Sequence, residues 1–366
     1  MKTRAAVLHQ TGHPLVVEEL DLDRPGQDEV LVRIRAAGLC HSDLSVINGD
    51  RPRPVPMALG HEAAGEVVEC GPGVRDLVPG DRVVMVFVPS CGGCVPCQEG
   101  RPALCEPAAA ANTGGTLLCG ERRLRLDGRE VHHHLGVSAF SEYAVVSRRS
   151  VIRFDPSLSF EEAALFGCAV LTGVGSVVNT ARVPAGTTVA VVGLGGVGLN
   201  ALLGGILVGA REVIAVDLHE DKLSLAKSLG ATATFNAGDP DALAKLREQT
   251  KGGVDFAFEM AGSVHAMDFA YRSTRRGGTT VTAGLSHPDH KWAVQHVNLV
   301  AEERTVKGSY IGSAVPLRDI PRYMALYQRG KLPVDRLMSN RMPLEDVNAG
   351  FDRLASGGAI RQILTL

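Results

Sequence analysis

At 366 residues the chain exceeds the roughly 100 to 200 that one ordinary core organises, so at least two domains are expected. Hydrophobic residues at 45% against charged ones at 21% exclude wholesale disorder, and 38 Lys+Arg balanced by 40 Asp+Glu without a basic block exclude a nucleic-acid partner held by bulk charge. Four of the eight cysteines crowd into positions 91–105, which indicates metal rather than disulfides, and with no apolar run of secretory length near Met1 the expected compartment is a reducing cytoplasm.

In chain order, Glu29 to Ala36 alternates apolar and charged positions as a half-buried strand does, and Asp81 to Val88 reads as another strand. Turn signals separate them at Arg51 to Pro56, Gly71-Pro-Gly73 and Val78-Pro-Gly80, and no helical period dominates before Ser159. From about Phe160 strands alternate with helices, the pattern of a parallel sheet with crossover helices. Strands are expected at Thr188–Val192, Val213–Val216, Val254–Phe258 and Thr279–Ala283, and helices at Asn200–Val208, Asp221–Leu229 and Asp241–Gln249. Residues 360–366 end the chain as a strand-like tail. Val183 to Ala210 carries no charge and is long enough to span a bilayer, but a β-branched strand followed by a glycine turn accounts for its apolarity, so no membrane span is expected.

Three groups of residues carry chemistry. Cys91-Gly-Gly-Cys94-Val-Pro-Cys97 followed by Cys105 offers four thiols on a flexible loop, as a closed structural zinc site requires; an iron–sulfur cluster is the rival, although its pattern usually has a shorter last gap and a proline after the final cysteine. Gly193-Leu-Gly195-Gly196-Val197-Gly198 follows a strand, opens a helix and precedes Asp217 at the end of the next strand. In that setting the glycines admit a pyrophosphate and the acid holds the adenosine ribose, with Lys222 a further ribose contact; an acid there disfavours a 2′-phosphate, so NAD is expected rather than NADP. The third group is dispersed: Cys40-His41-Ser42-Asp43, Gly60-His61-Glu62 and Cys168.

These segments, with Gly167-Cys168 and Ile360-Arg361-Gln-Ile-Leu-Thr, resemble in order and spacing the zinc-containing medium-chain alcohol dehydrogenases, over nearly the whole chain. The resemblance implies an α/β chain in which a Rossmann doubly wound parallel-sheet domain (170–312) is inserted in a β-rich GroES-like catalytic domain (1–169 and 313–366, with a zinc lobe at about 90–106), the active site lying in the cleft. It implies two zinc ions: a catalytic one on Cys40, His61 and Cys168 with one position open to water or substrate, and a structural one on the cysteine lobe. Asp43 is then the carboxylate behind His61, Glu62 the acid that can approach the metal, and Ser42 the hydroxyl that receives the alcohol proton. His41 and Arg361 fall at pyrophosphate positions, Thr172 and Val197 beside the nicotinamide, and Phe87 and Leu135, with the region of Val315, along the substrate pocket. The implied reaction is reversible oxidation of primary or secondary alcohols to aldehydes or ketones, the alkoxide passing hydride to NAD.

Two features depart from the family pattern. Ser45 stands where many members have the histidine that ends a proton relay, and Arg51 and Ala109 stand near positions that bind the glutathione adduct in the formaldehyde-dehydrogenase branch, with Asp50 adjacent. S-(hydroxymethyl)glutathione is therefore an alternative substrate, and a non-catalytic dinucleotide-binding protein a rival of another class. Residues 106–136 resemble the long loop of dimeric members, so a homodimer is expected. His132-His-His134 invites a metal reading, but consecutive extended side chains do not converge on one ion, and packing explains them as well.

Overall fold

The computed structural model describes all residues, 1–366. In chain order the elements are β1 (Lys2–Leu8), β2 (Val16–Leu22), β3 (Glu29–Gly38), α1 (His41–Ile47), β4 (Met57–Ala58), β5 (Ala63–Cys70), β6 (Arg82–Met85), α2 (Val95–Gln98), α3 (Glu106–Gly114), β7 (Leu124–Leu126), β8 (Arg129–His133), β9 (Tyr143–Ser147), β10 (Val151–Arg153) and α4 (Phe160–Ala164). A second series follows: α5 (Ala169–Gly175), β11 (Thr188–Val192), α6 (Gly196–Leu207), β12 (Glu212–Asp217), α7 (Glu220–Leu229), β13 (Ala233–Asn236), α8 (Ala242–Gln249), β14 (Val254–Glu259), α9 (Val264–Ser273), β15 (Thr274–Thr282), α10 (His296–Ala301) and β16 (Thr305–Gly308). The chain closes with α11 (Pro316–Gln328), β17 (Met338–Pro343), α12 (Val347–Ala355) and β18 (Arg361–Thr365).

Two compact units result. The first holds residues 1–168, 315–324 and 334–366, the second residues 169–314 and 325–333. In the first, β1-β2-β7-β8-β4 close a small barrel around Val7, Leu20, Leu22, Leu124 and Val131. Beside it runs a seven-stranded sheet in the order β10-β6-β5-β3-β18-β17, with β9 also paired to β3. The half-buried alternation expected of β3 gives way to nearly continuous burial, with Arg33 alone fully exposed. The reason is pairing: β5, β9 and β18 all bond to β3, so it lies inside the sheet rather than on its surface.

In the second unit six strands run parallel in the order β13-β12-β11-β14-β15-β16. Every residue of β11 is buried, as a parallel strand covered on both faces requires. The chain that mimicked a membrane span divides into β11 and the twelve-residue α6, and no single helix is long and apolar enough to cross a bilayer.

The expected elements differ from the observed ones in definable ways. Only Arg82–Met85 of the expected 81–88 strand pairs, whereas β15 begins at Thr274, its first half hidden in the sequence by Arg275-Arg276-Gly277-Gly278. The segment before Ser159 also contains α1, α2 and α3, which are too short to display a helical period and are set by their ends. For α3 these are Pro107 in the first turn and Gly115 in the left-handed conformation just past the last.

Candidate metal centres and dinucleotide cradle

The first centre gathers where β3 and α4 end and β5 begins. Cys40 leaves β3 and caps α1, which puts Asp43 in that helix's first turn, fully buried. His61 follows Gly60, whose φ is +92° and whose missing Cβ makes room for the backbone of Phe140; a side chain there would displace the loop that aims His61. Cys168 closes the 3₁₀ turn after α4. The Sγ, nitrogen and carboxylate atoms of Cys40, His61, Glu62 and Cys168 all lie within 4.8 Å of one another, and all four residues are buried.

His61 offers Nδ1 to Asp43 Oδ1 at 3.1 Å, and its Nε2 is buried with no protein partner. A buried ring nitrogen without a partner costs free energy unless something outside the chain satisfies it. Burial disfavours the charged imidazole, but the Asp43 carboxylate and the Cys40 thiol outweigh it and raise the His61 pKa to about 10. Cys40 is held well below the usual thiol range, chiefly by hydrogen bonding with Cys168 and against the effect of burial. Asp43 is likewise low: burial would raise it, yet the charge of His61, the close approach of His134 and the bond with His61 prevail. Two thiols, one ready to ionise, and an imidazole oriented through its other nitrogen form a donor set that fits zinc. Arg361, which β18 brings beside Gly38, is buried and pairs with Glu62. Phe87 sets its ring edge-on to His61 at 5.1 Å.

The second centre is the cysteine lobe, where Cys91, Cys94, Cys97 and Cys105 also lie within 4.8 Å of one another. Gly93 N–H and Cys94 N–H donate to Cys91 Sγ at 3.4 and 3.3 Å and lower its pKa to about 6; Cys91 N–H donates to Cys105 Sγ at 3.2 Å. Burial pushes Cys97 up to about 12, so the four cannot all ionise without a cation among them. This donor set also fits zinc, with no place left for a substrate. Cys105 opens α3, from which Asn112 Nδ2 donates to the Phe87 carbonyl at 2.8 Å, a link no motif signals.

In the second unit, the turn between β11 and α6 brings Gly193 to Gly198 together. A Cβ on Gly198 would overlap the Gly193 carbonyl, whereas around Gly195 there is open space on the side a Cβ would take. The first-turn amides of α6 have no intrahelical acceptor and face that end of the helix. Asp217, at the end of β12, accepts from Leu194 N–H at 2.6 Å and His219 N–H at 3.0 Å, which fixes its carboxylate beside the turn. An open concavity of amides with a fixed acid next to it fits a dinucleotide.

The remaining expected residues are placed as follows. Ser42 is half-buried and His41 exposed on α1; Thr172 is buried on α5, Val197 half-buried at the start of α6, and Lys222 half-buried on α7. Leu135 is buried with φ at +51°, a strained conformation for a branched side chain. Ser45 Oγ donates to the His41 carbonyl at 2.8 Å, committing its proton to the backbone. The three consecutive histidines diverge: His132 bonds Arg122, His133 Nε2 accepts from Arg123 N–H at 3.0 Å, and His134 turns toward Asp43.

Residues 26–156 match the family model of the alcohol dehydrogenase GroES-like domain, and residues 196–329 that of the zinc-binding dehydrogenase. The chain is 42% identical over its full length to an NDMA-dependent alcohol dehydrogenase of Amycolatopsis methanolica, covering 99% of it. It superposes over its full length on the alcohol dehydrogenase zinc-binding domain protein of Burkholderia ambifaria (TM-score 0.96, 35% identity, 99% of that chain). A similar match is found to the benzyl alcohol dehydrogenase of Acinetobacter calcoaceticus (TM-score 0.95, 32% identity, 99% of that chain).

Proposed function

The chain belongs to the zinc-containing medium-chain alcohol dehydrogenase family, and for this zinc-dependent alcohol dehydrogenase we propose a reversible, NAD-dependent oxidation of primary or secondary alcohols to aldehydes or ketones. The observation that carries the reading is His61 Nε2, buried and unsatisfied by protein beside the thiols of Cys40 and Cys168. Cys40, His61 and Cys168 would hold the catalytic zinc, and Cys91, Cys94, Cys97 and Cys105 the structural one. When bound, the catalytic zinc supplies Lewis acidity that makes an alcohol oxygen acidic near neutral pH. The nicotinamide supplies the hydride acceptor.

The chain's own residues do the rest. Asp43 fixes the tautomer and direction of His61. Ser42, half-buried one residue from Asp43, takes up the alcohol proton. Ser45 Oγ is bonded back to the His41 carbonyl, so position 45 would not carry the proton onward from Ser42, and water would take it. Phe87 and Leu135 exclude water and shape the alcohol's surroundings. The turn Gly193–Gly198 and the amides of α6 hold the pyrophosphate, Asp217 and Lys222 hold the ribose, and the charge of Asp217 disfavours NADP. A homodimer is part of this reading, supported by β16, an exposed edge strand bonded on one side only, to β15.

The relative named for NDMA dependence supports a second reading, in which turnover requires NDMA. Initial rates with NAD, NADP and NDMA over aliphatic, aromatic and terpenoid alcohols, with and without glutathione, separate the cases. The expected result is NAD-linked turnover without glutathione. Turnover only with NDMA establishes the second reading. A strict need for glutathione points to S-(hydroxymethyl)glutathione, and zinc-loaded protein inert in every arm overturns the assignment.

A further inference from the structure

We propose that His134 is a positioning residue of the catalytic metal centre: its imidazole meets the same buried Asp43 oxygen that His61 meets and so holds the ligating ring of His61 in place. The inference rests on the reading of Cys40, His61 and Cys168 as zinc ligands.

Asp43 Oδ1 lies 3.1 Å from His61 Nδ1 and also 3.1 Å from His134 Nδ1. Gly60 N–H donates to the same oxygen at 3.2 Å, while Asp43 Oδ2 has no partner. The two rings stand edge to face, 5.5 Å between centroids and 84° between planes. All three side chains are buried, so no solvent competes for the carboxylate. His134 Nδ1 makes no geometrically ideal hydrogen bond and has no other partner, so a proton on this nitrogen would face the charge of Asp43 alone.

The backbone gives this ring little freedom. His134 N–H donates to the Ala58 carbonyl and to Ser138 Oγ, and its own carbonyl accepts from Val137 and Ser138 N–H. His134 is thereby tied to β4, two residues before Gly60, on the loop that presents His61. A carboxylate with one oxygen unpartnered can rotate about its χ2 bond and exchange oxygens. With His134 present, rotation of Oδ1 away from His61 also costs the contact to a second imidazole. Removing it frees Asp43 to swing, and the His61 ring with it. Asp43, His61 and His134 are also close enough to one another to hold an ion, but Oδ1 already accepts from Gly60 N–H with His61 Nδ1 at the same oxygen, an arrangement that suits holding the carboxylate rather than binding a cation.

The test compares wild type, His134→Asn and His134→Phe loaded with Co²⁺ in the catalytic site and Zn²⁺ in the cysteine lobe. The asparagine amide retains a donor near the Nδ1 position, and phenylalanine retains ring volume without one. The readouts are the cobalt d–d spectrum, the rate of cobalt loss to a chelator, and the metal count per chain. We expect His134→Phe to shift the spectrum and to lose cobalt about 10- to 100-fold faster, His134→Asn to stay near wild type, and the zinc in the lobe to remain in both. Unchanged spectrum and release in folded His134→Phe overturn the proposal. So does equal damage in both variants, which marks a packing role, and so does a third metal equivalent in wild type, which marks an ion on the trio. Wild type that takes metal only on the cysteine lobe overturns the ligand reading itself. Independent of any variant's folding, ¹⁵N-histidine spectra of wild type must show His134 protonated on Nδ1; the Nε2–H tautomer contradicts the proposal.

Discussion

His133 is a buried histidine held neutral: burial first, then the charges of Arg122, Arg123 and His132, push its pKa down to about 3. Since the unfolded chain takes up this proton near pH 6.5 and the folded chain does not until about pH 3, the unfolded state binds more protons between those values and stability falls as pH drops through them, by about 1.4 kcal/mol per pH unit. Urea unfolding at a series of pH values checks this, with His133→Gln, which keeps an acceptor for Arg123 N–H, expected to flatten the acid limb relative to wild type; an unchanged limb contradicts the assignment. At this scale the chemistry was partly legible in the sequence. Cys40, His61, Cys168 and the cysteine lobe stand out because metal ligands demand particular residue types at particular spacings. Asn112, Gly60 against Phe140, and the pairing of His134 with Asp43 do not, because each depends on a distant strand or loop arriving at the right place. Arg361 shows the same limit: β18 brings it, buried, against Glu62, a pairing that its position in the sequence does not announce.

Single elements carry consequences that short motifs predict well at their ends. Helix α4 begins with a complete capping box, Ser159 Oγ accepting from Glu162 N–H and the Glu162 carboxylate accepting from Ser159 N–H. Ser159→Ala is expected to cost about 1 kcal/mol in denaturant unfolding, since it removes one reciprocal bond at the helix that leads to Cys168. Helix α3 ties the cysteine lobe to Phe87 through Asn112, so the lobe is more than an appendage. Cys97→Ser is expected to remove one zinc equivalent per chain and to lower the thermal midpoint, measured by metal analysis and calorimetry on one preparation. Retention of the full metal count contradicts the four-thiol site. Pattern reading located four of the six parallel strands and α7, α8; it missed the short β13 and β16 as well as α1 and α3, and it took β3 for a half-buried strand because pairing on both edges cannot be seen from alternation alone.

On the scale of the whole chain, the division into a turn-rich β part and a parallel-sheet part followed from a change of pattern near Phe160, whereas the GroES-like architecture of the first part was implied only by the family resemblance. The resemblance implied that the end of the chain returns to the first domain, but not the pairing of β18 with β3, which carries Arg361 to Glu62 across nearly the full length of the chain. The glycine-rich turn and Asp217 lie within one such unit, and the cysteine and histidine ligands within the other. The central claim is that Cys40, His61 and Cys168 hold the metal on which alcohol oxidation depends. It is tested most directly by counting zinc and measuring alcohol-dependent dinucleotide reduction in the same preparation of Cys168→Ser. The account predicts a fall from two zinc ions per chain to one, the lobe's, with turnover lost by orders of magnitude; two zinc ions retained, or turnover undiminished, would contradict it.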